Sequence, residues 1–416
     1  MARSFTQKRV SFNKENANEK LKVSKLLTLL EGHPYEGKLK KVFNTEVLID
    51  DYISIGNIST VFNKLQSIQS QYKLYNIKVH TKDVAFTRGD SKIDGIADSN
   101  PLAFKFAEYT DEFGEVFNEP FLGYSIYDSK SQFFDEFKMT KFVNMLFDKK
   151  YDKLAEYNLN FFRSLPSDEG FNKYRSYRII ENNGEKFVKG VTSLSYKEYG
   201  VGFSFVVSML MLHKYMKREA GNNYSIVFTA LNESKLEMII TSDYLKDAGD
   251  FGKIRSAISV KTNDFGKGAL SITHIINIVV KGSGFYLYPK SNTIQKKNIN
   301  IGHGNTSPLT ALETLSKLDD FYGHVDDFVE ELRSIKTIKS PEDLRKRILL
   351  KFEHHNSLLK AVKGTLAPIF STVLSNDIKD FASLLEMCRK AEELEIDYDL
   401  KEKLRIEISD IILNKK

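Results

Sequence analysis

Between Phe265 and Leu312 the chain carries Lys267, Lys281, Lys290, Lys296 and Lys297 and neither Asp nor Glu. Inside this stretch Phe285-Tyr286-Leu287-Tyr288-Pro289-Lys290 sets two phenol rings two residues apart. On a strand such residues share a face, so Tyr286 and Tyr288 lie together with Phe285 and Leu287 opposite. Ammonium groups neutralise phosphates and flat rings stack on unpaired bases, which is the chemistry of single-strand binding. The candidate nucleic-acid-binding set is therefore Lys267, Lys281, Tyr286, Tyr288, Lys290, Lys296 and Lys297. It requires the tyrosine face to point outward. The alternative is a half-buried hairpin whose tyrosines pack under the chain's helical tail.

Other residues with chemical potential are isolated. His303 sits between Gly302 and Gly304 and could act as a general base, given a partner carboxylate. His354 and His355 are adjacent, so on a helix they diverge by about 100° and do not share a metal. Glu108 to Glu136 holds eight acids against one base, Lys130. Such a cluster could take Mg²⁺ or Ca²⁺ in a metal-dependent enzyme, but it lacks ligand spacing and reads as a solvated acidic face. It could also dock on the basic N-terminus of the same chain. No phosphate loop, HExxH, CxxC, GxSxG or dinucleotide fingerprint occurs. The sequence therefore assigns no catalytic residue, cofactor or metal, and favours a non-enzymatic protein.

The elements that would hold these residues follow from periodicity. Ala269 to Val280 alternates and then becomes apolar throughout, with β-branched residues dominant, so it reads as a strand. Gly282-Ser283-Gly284 turns it into a second arm at Phe285 to Tyr288. Further hairpins are expected at Tyr174–Ile180 with Phe187–Leu194, across an Asn-Gly turn, and at Tyr224–Leu231 with Lys235–Thr241. Gly202 to Ala220 reads as a buried helix. Phe133–Phe147 and Tyr151–Leu165 read as paired amphipathic helices, with Phe142, Met145 and Leu146 on one apolar stripe and Leu154, Leu159 and Phe162 on the other. Ser307-Pro308 and Ser340-Pro341-Glu342-Asp343 are helix starts in a tail of four or five helices, broken near Thr337, Gly364 and Asn376. The fold class expected is α+β, with antiparallel β-hairpins packed around a buried helix, followed by an all-α C-terminal region. The organisation expected is a basic N-terminal arm over 1–41, a small α/β segment over 42–100, an α+β core over 101–305 and a helical domain over 306–416.

Composition narrows the class. With 416 residues, 28% charged and 41% hydrophobic, the chain suits a globular protein with a large core. The net charge of +6 is concentrated at the front, where residues 1–41 hold ten Lys or Arg against four Glu. Such an arm either docks on nucleic acid or serves as a disordered solubilising tail. One cysteine, Cys388, permits no intrachain disulfide and fits a reducing cytoplasm. No signal-peptide pattern follows Arg3, Lys8 and Arg9, and the longest apolar stretch, Phe203 to Leu212, is too short to span a bilayer.

Several phrases resemble a family of phage- and plasmid-borne proteins catalogued as domain of unknown function 932. They are Leu154-Ala155-Glu156-Tyr157-Asn158-Leu159-Asn160, Arg175-Ser176-Tyr177-Arg178, Ser193-Leu194-Ser195-Tyr196, Thr262 through Leu270, and His303-Gly304. The similarity spans roughly residues 100–330 by pattern. Where the family has a Cys-Thr-Asn-Gly phrase, this chain has Val280-Lys281-Gly282-Ser283. The resemblance implies a mobile-element origin and a host-cytoplasmic setting, and it supplies no activity. The functional expectation is a nucleic-acid-binding protein that binds or anneals single strands in replication or recombination, with homo-oligomerisation or a host protein as further partners. The alternative is a structural or interaction protein, a self-assembling phage component or an inhibitor of a host system, with the Phe and Tyr residues as interface anchors.

Overall fold

The computed structural model describes residues 5–13, 19–89, 96, 101–166, 171–218, 223–265, 269–280, 283–290, 298–304, 307–316, 323–336, 339–354, 362–371 and 377–413. Lys267, Lys281, Gly282, Lys296, Lys297 and His355 lie outside the described residues, as do the expected breaks at Thr337 and Asn376.

The body is mixed α and β, built on two sheets. Its strands are β1 (Lys8–Arg9), β2 (Lys20–Lys22), β3 (Tyr52–Gly56), β4 (Lys73–His80), β5 (Ala85–Arg88), β6 (Leu102–Phe106), β7 (Tyr109–Asp111), β8 (Val116–Phe117), β9 (Phe121–Ser125), β10 (Tyr174–Asn182), β11 (Glu185–Thr192), β12 (Tyr224–Leu231), β13 (Lys235–Ser242), β14 (Lys246–Asp247), β15 (Lys253–Asn263), β16 (Ala269–Val280), β17 (Ser283–Leu287) and β18 (Ile299–Gly302). The larger sheet runs β17-β16-β15-β13-β12-β3-β2, with β1 on β12, β14 on β15 and β18 on β16. The smaller runs β5-β6-β9-β11-β10-β4-β7-β8. The smaller sheet is one contiguous block, β4 to β11, inserted between β3 and β12 of the larger, and within it β4 pairs with β10 and β5 with β6. A boundary at residue 100 therefore runs through paired strands.

Local sequence explains the main pieces. Asn183 and Gly184 have φ of 52° and 80°, the positive pair that a two-residue turn between right-twisted strands needs. Helix Gly200–Arg218 is apolar nearly all round and is buried along most of its length. Its internal Ser204 and Ser208 hydroxyls donate to the carbonyls of Gly200 and Ser204, so neither leaves a buried polar group unpaired. This helix packs with Leu26, Leu30, Ile53, Phe62, Met238, Ile258 and Ile272 in the first core. A second core joins Ile276, Ile278, Phe285 and Leu287 to Leu344, Leu384, Leu404 and Ile408 of later helices. A third packs the smaller sheet against helices Ser129–Asp135, Thr140–Asp148 and Asp152–Ser164.

The N-terminal segment departs from the expected arm. Phe5 is buried against Tyr72, Tyr127 and Phe187. Its carbonyl accepts from Tyr127 Oη at 3.0 Å and Asn232 Nδ2 at 2.9 Å. β1 pairs with β12, and from Leu21 onward the segment contributes to the first core. Apolar anchors at Phe5, Val10 and Leu21 outweigh the surrounding lysines, because burying each such side chain is worth about 1.5–3 kcal/mol.

Candidate functional site

The tyrosine hairpin does not face outward. Helix Tyr398–Leu413 lies over it: the Tyr288 amide donates to Ser409 Oγ at 2.9 Å and the Tyr288 hydroxyl to Glu402 Oε1 at 3.3 Å. The Arg405 guanidinium sits 5.3 Å from the centre of the Tyr286 ring. Both rings are half-buried beside Phe228, Ala230, Ile239, Ala257 and Ile275. Burial pushes the Tyr286 phenol up to about 12, opposed by Arg405 and Arg255, and raises Tyr288 further. Lys290 is paired with Asp410. The expectation of an exposed stacking face at Tyr286 and Tyr288 is therefore corrected. The physical reason is that the C-terminal helix carries carboxylates and Arg405 on the side turned toward the rings. Arg405 itself is buried between Glu392 and Glu237, the latter at 3.0 Å.

His303 has the neighbouring carboxylate that sequence could not supply. Its Nδ1 lies 2.7 Å from the Lys197 carbonyl and 3.7 Å from Asp264 Oδ1. A carbonyl only accepts, so Nδ1 holds the proton and Nε2 is the basic nitrogen. The ring stacks on Tyr196 at 4.7 Å and 8°. Asp264 follows β15 and accepts from the Gly200 amide at 3.0 Å through Oδ2. Arg178 of β10 donates to the Asp264 carbonyl at 3.1 Å and pairs with Glu198, which also holds Lys189 of β11. Gln132 donates to the Phe265 carbonyl. This polar junction ties the smaller sheet to the turn between β15 and β16. His274, read as alternating into an apolar face, is buried on β16.

A third region combines rings and lysines at the surface. Helices Thr140–Asp148 and Asp152–Ser164 bury Val143, Leu146, Phe147, Ala155 and Leu159. The expected stripes are thus half right: Leu146 and Leu159 point inward, but Phe142 is 42%, Met145 50% and Leu154 46% exposed. Tyr157 is 74%, Phe161 58% and Tyr151 58% exposed. Each helix carries apolar residues over a wider arc than the small sheet covers, so one flank stays in water. Leu154, Tyr157 and Phe161 follow at helical spacing on that flank. Lys138, Lys141, Lys149, Lys150 and Lys153 are exposed around it and form no ion pair among the described residues. Asp148 and Glu156 are the exposed acids between them. Periodicity showed the second helix, but the single helix expected over Phe133–Phe147 is two, Ser129–Asp135 and Thr140–Asp148, parted where Lys138 takes a φ of 54°; the outward flank was hidden because sequence does not reveal which half of a broad apolar arc meets the sheet.

In the acidic stretch, Glu108, Glu112, Glu115, Glu119, Asp128 and Asp135 are exposed and Glu136 pairs with Arg175 at 2.6 Å. Among the described residues no group of three or more His, Cys, Asp or Glu is arranged to hold a metal ion, and no helix is long and apolar enough to cross a membrane. No protein-family model matches the chain, and neither does any curated protein or solved structure.

Proposed function

We propose that this protein binds nucleic acid, single strands in preference, through the ring-and-lysine flank of helices Thr140–Asp148 and Asp152–Ser164. The observation that carries the reading is Tyr157 and Phe161 standing in solvent one helical turn apart, on the same helix as exposed Lys153 and with exposed Lys149 and Lys150 just before it. Exposed rings supply stacking faces for bases, and unpaired ammonium groups supply the phosphate contacts. The hairpins around helix Gly200–Arg218 and the all-α C-terminal region serve as scaffold in this reading. In this reading the protein acts without catalysis, in replication or recombination; the mobile-element origin and host-cytoplasmic setting are what the resemblance to the phage- and plasmid-borne family implies, and the activity is not. Titrating a labelled single-stranded oligonucleotide against the protein by fluorescence anisotropy tests it. Saturable, salt-sensitive binding is expected, weakened by Tyr157→Ala; no binding at low salt rejects it.

A second reading is favoured by Phe142, Met145 and Leu154, whose aliphatic and benzyl surface suits a protein partner or a second copy of the chain. Static light scattering over a concentration series separates the two. Assembly without nucleic acid, abolished by Leu154→Glu, supports the second reading.

A further inference from the structure

A cavity of about 570 Å³ lies between the N-terminal segment and the chain that enters helix Tyr398–Leu413, and its size suits a small molecule. Phe5, Tyr127, Leu394, Ile396 and Tyr398 give it an aromatic and aliphatic lining, to which Arg9, Lys235 and Lys401 add cations. Lys235 is committed, since its Nζ pairs with Asp399 at 2.8 Å. Arg9 and Lys401 form no ion pair among the described residues. Lys401 is buried, and its ammonium donates only to the Glu392 carbonyl, at 2.8 Å. An ammonium has three N–H donors, so two are left over. The Arg9 guanidinium lies 5.6 Å from the centre of the Phe228 ring, and Arg405 lies 5.8 Å from the same ring. Arg9, Lys401 and Arg405 are thus one cationic cluster. Glu392 and Glu237 clamp Arg405, and the nearby Lys261–Glu402 pair is neutral, so three cations meet two acids and one positive charge is unmatched. Burial pulls the Lys401 ammonium below the ordinary lysine value; Glu392 opposes the shift, and Arg405 and Arg9 add to it. A buried cation short of a counter-ion is costly, and a bound anion removes that cost.

We propose that this cavity binds a small aromatic carboxylic acid, its carboxylate held by Arg9 and Lys401 and its ring seated among Phe5, Leu394, Ile396 and Tyr398. A guanidinium offers a carboxylate two parallel N–H donors, and Lys401 adds a third. The rings in the lining suit a flat aromatic body. The charge of the ligand is limited by Glu393, Glu395 and Asp397, which line the same cavity. Arg389 holds Glu393, and the Asp399 and Leu400 amides donate to Asp397, while Glu395 is exposed. These carboxylates repel a polyphosphate, whereas a single negative charge matches the one unmatched cation. The walls come from residues 5–9 and 393–401, near opposite ends of the chain, so the ligand bridges the two and stabilises the folded protein by mass action. This site is separate from the ring-and-lysine flank, and neither reading depends on the other.

The probe is 2-naphthoate, titrated into the full chain by isothermal calorimetry beside 2-naphthalenemethanol, its uncharged counterpart of similar shape. Saturable binding of naphthoate at one site per chain is expected, with the alcohol about tenfold weaker or more for want of the charged contacts. Lys401→Met keeps the length of the side chain and removes its charge. It is expected to weaken naphthoate about tenfold or more and to leave the alcohol unchanged. Arg9→Gln is expected to do the same, and because Arg9 is exposed this variant keeps the test open if the Lys401 variant fails to fold. 2-Naphthyl phosphate, with its second negative charge, is expected to bind more weakly than naphthoate. No saturation by naphthoate up to about 1 mM, equal affinity for acid and alcohol, tighter binding of the phosphate, or unchanged affinity in Arg9→Gln overturns the proposal.

Discussion

Replacing Tyr157 and Phe161 with alanine removes two rings that contribute little to folding, since they are 74% and 58% exposed. Stability should stay within about 0.5 kcal/mol of the parent for each change. If each ring stacks on one base, each loss costs about 1–3 kcal/mol of binding. That is about fivefold to about 150-fold in affinity per ring. The lysines give an independent readout. Five phosphate contacts from Lys138, Lys141, Lys149, Lys150 and Lys153 predict a slope of log affinity against log salt of about −3.5 for a single strand. Lys149→Gln with Lys153→Gln should bring it to about −2. The assay is fluorescence anisotropy with a labelled oligonucleotide at four salt concentrations, beside thermal melts of each variant. Ring variants that fold normally and bind unchanged, or a salt slope indifferent to the lysine changes, would refute the reasoning.

Three further outcomes follow from the packing. Lys290→Glu breaks the partly exposed pair with Asp410, so it should cost less than about 1 kcal/mol and leave oligonucleotide affinity unchanged; a large affinity loss would return the binding site to the hairpin. Arg405→Ala strands the buried Glu237 and Glu392 and should lower the urea-unfolding free energy by about 3–5 kcal/mol. The hydrogen bond from Arg345, helped by the Ile378 amide, holds the Glu342 carboxyl down to about 2. Its unfolded value is about 4.3, so its contribution is present above that pH and is lost as pH falls toward 2. Glu342→Gln should flatten the acid limb of urea midpoints measured across that window, and equal slopes for both proteins would contradict the assignment.

Much of the scaffold could be read from local chemistry. The Asn183-Gly184 turn, the alternation of β16 and the Ser340 cap, whose Oγ accepts from the Asp343 amide at 3.1 Å, are set by neighbours in sequence. The strands β5 to β9 were not legible, because they run for only two to five residues and β6 is buried on both faces, so none carries a clear period-two signal. The site was misplaced for a different reason. Tyr286 and Tyr288 share a face as the spacing requires, but what covers that face arrives from residues 398–413, more than a hundred positions later. His303 was picked out by its flanking glycines. Its carboxylate neighbour comes from the β15 turn and could not be assigned from spacing. Phe142, Met145 and Leu154 were counted as core because amphipathicity reports an arc and leaves its burial open.

Lysine footprinting tests the binding surface most directly. The protein is acetylated with and without a saturating single-stranded oligonucleotide, and protection is read peptide by peptide by mass spectrometry. The account predicts protection of Lys149, Lys150 and Lys153 with no change at Lys290. Protection confined to Lys290 and the hairpin, with the helical lysines reacting as before, would contradict it.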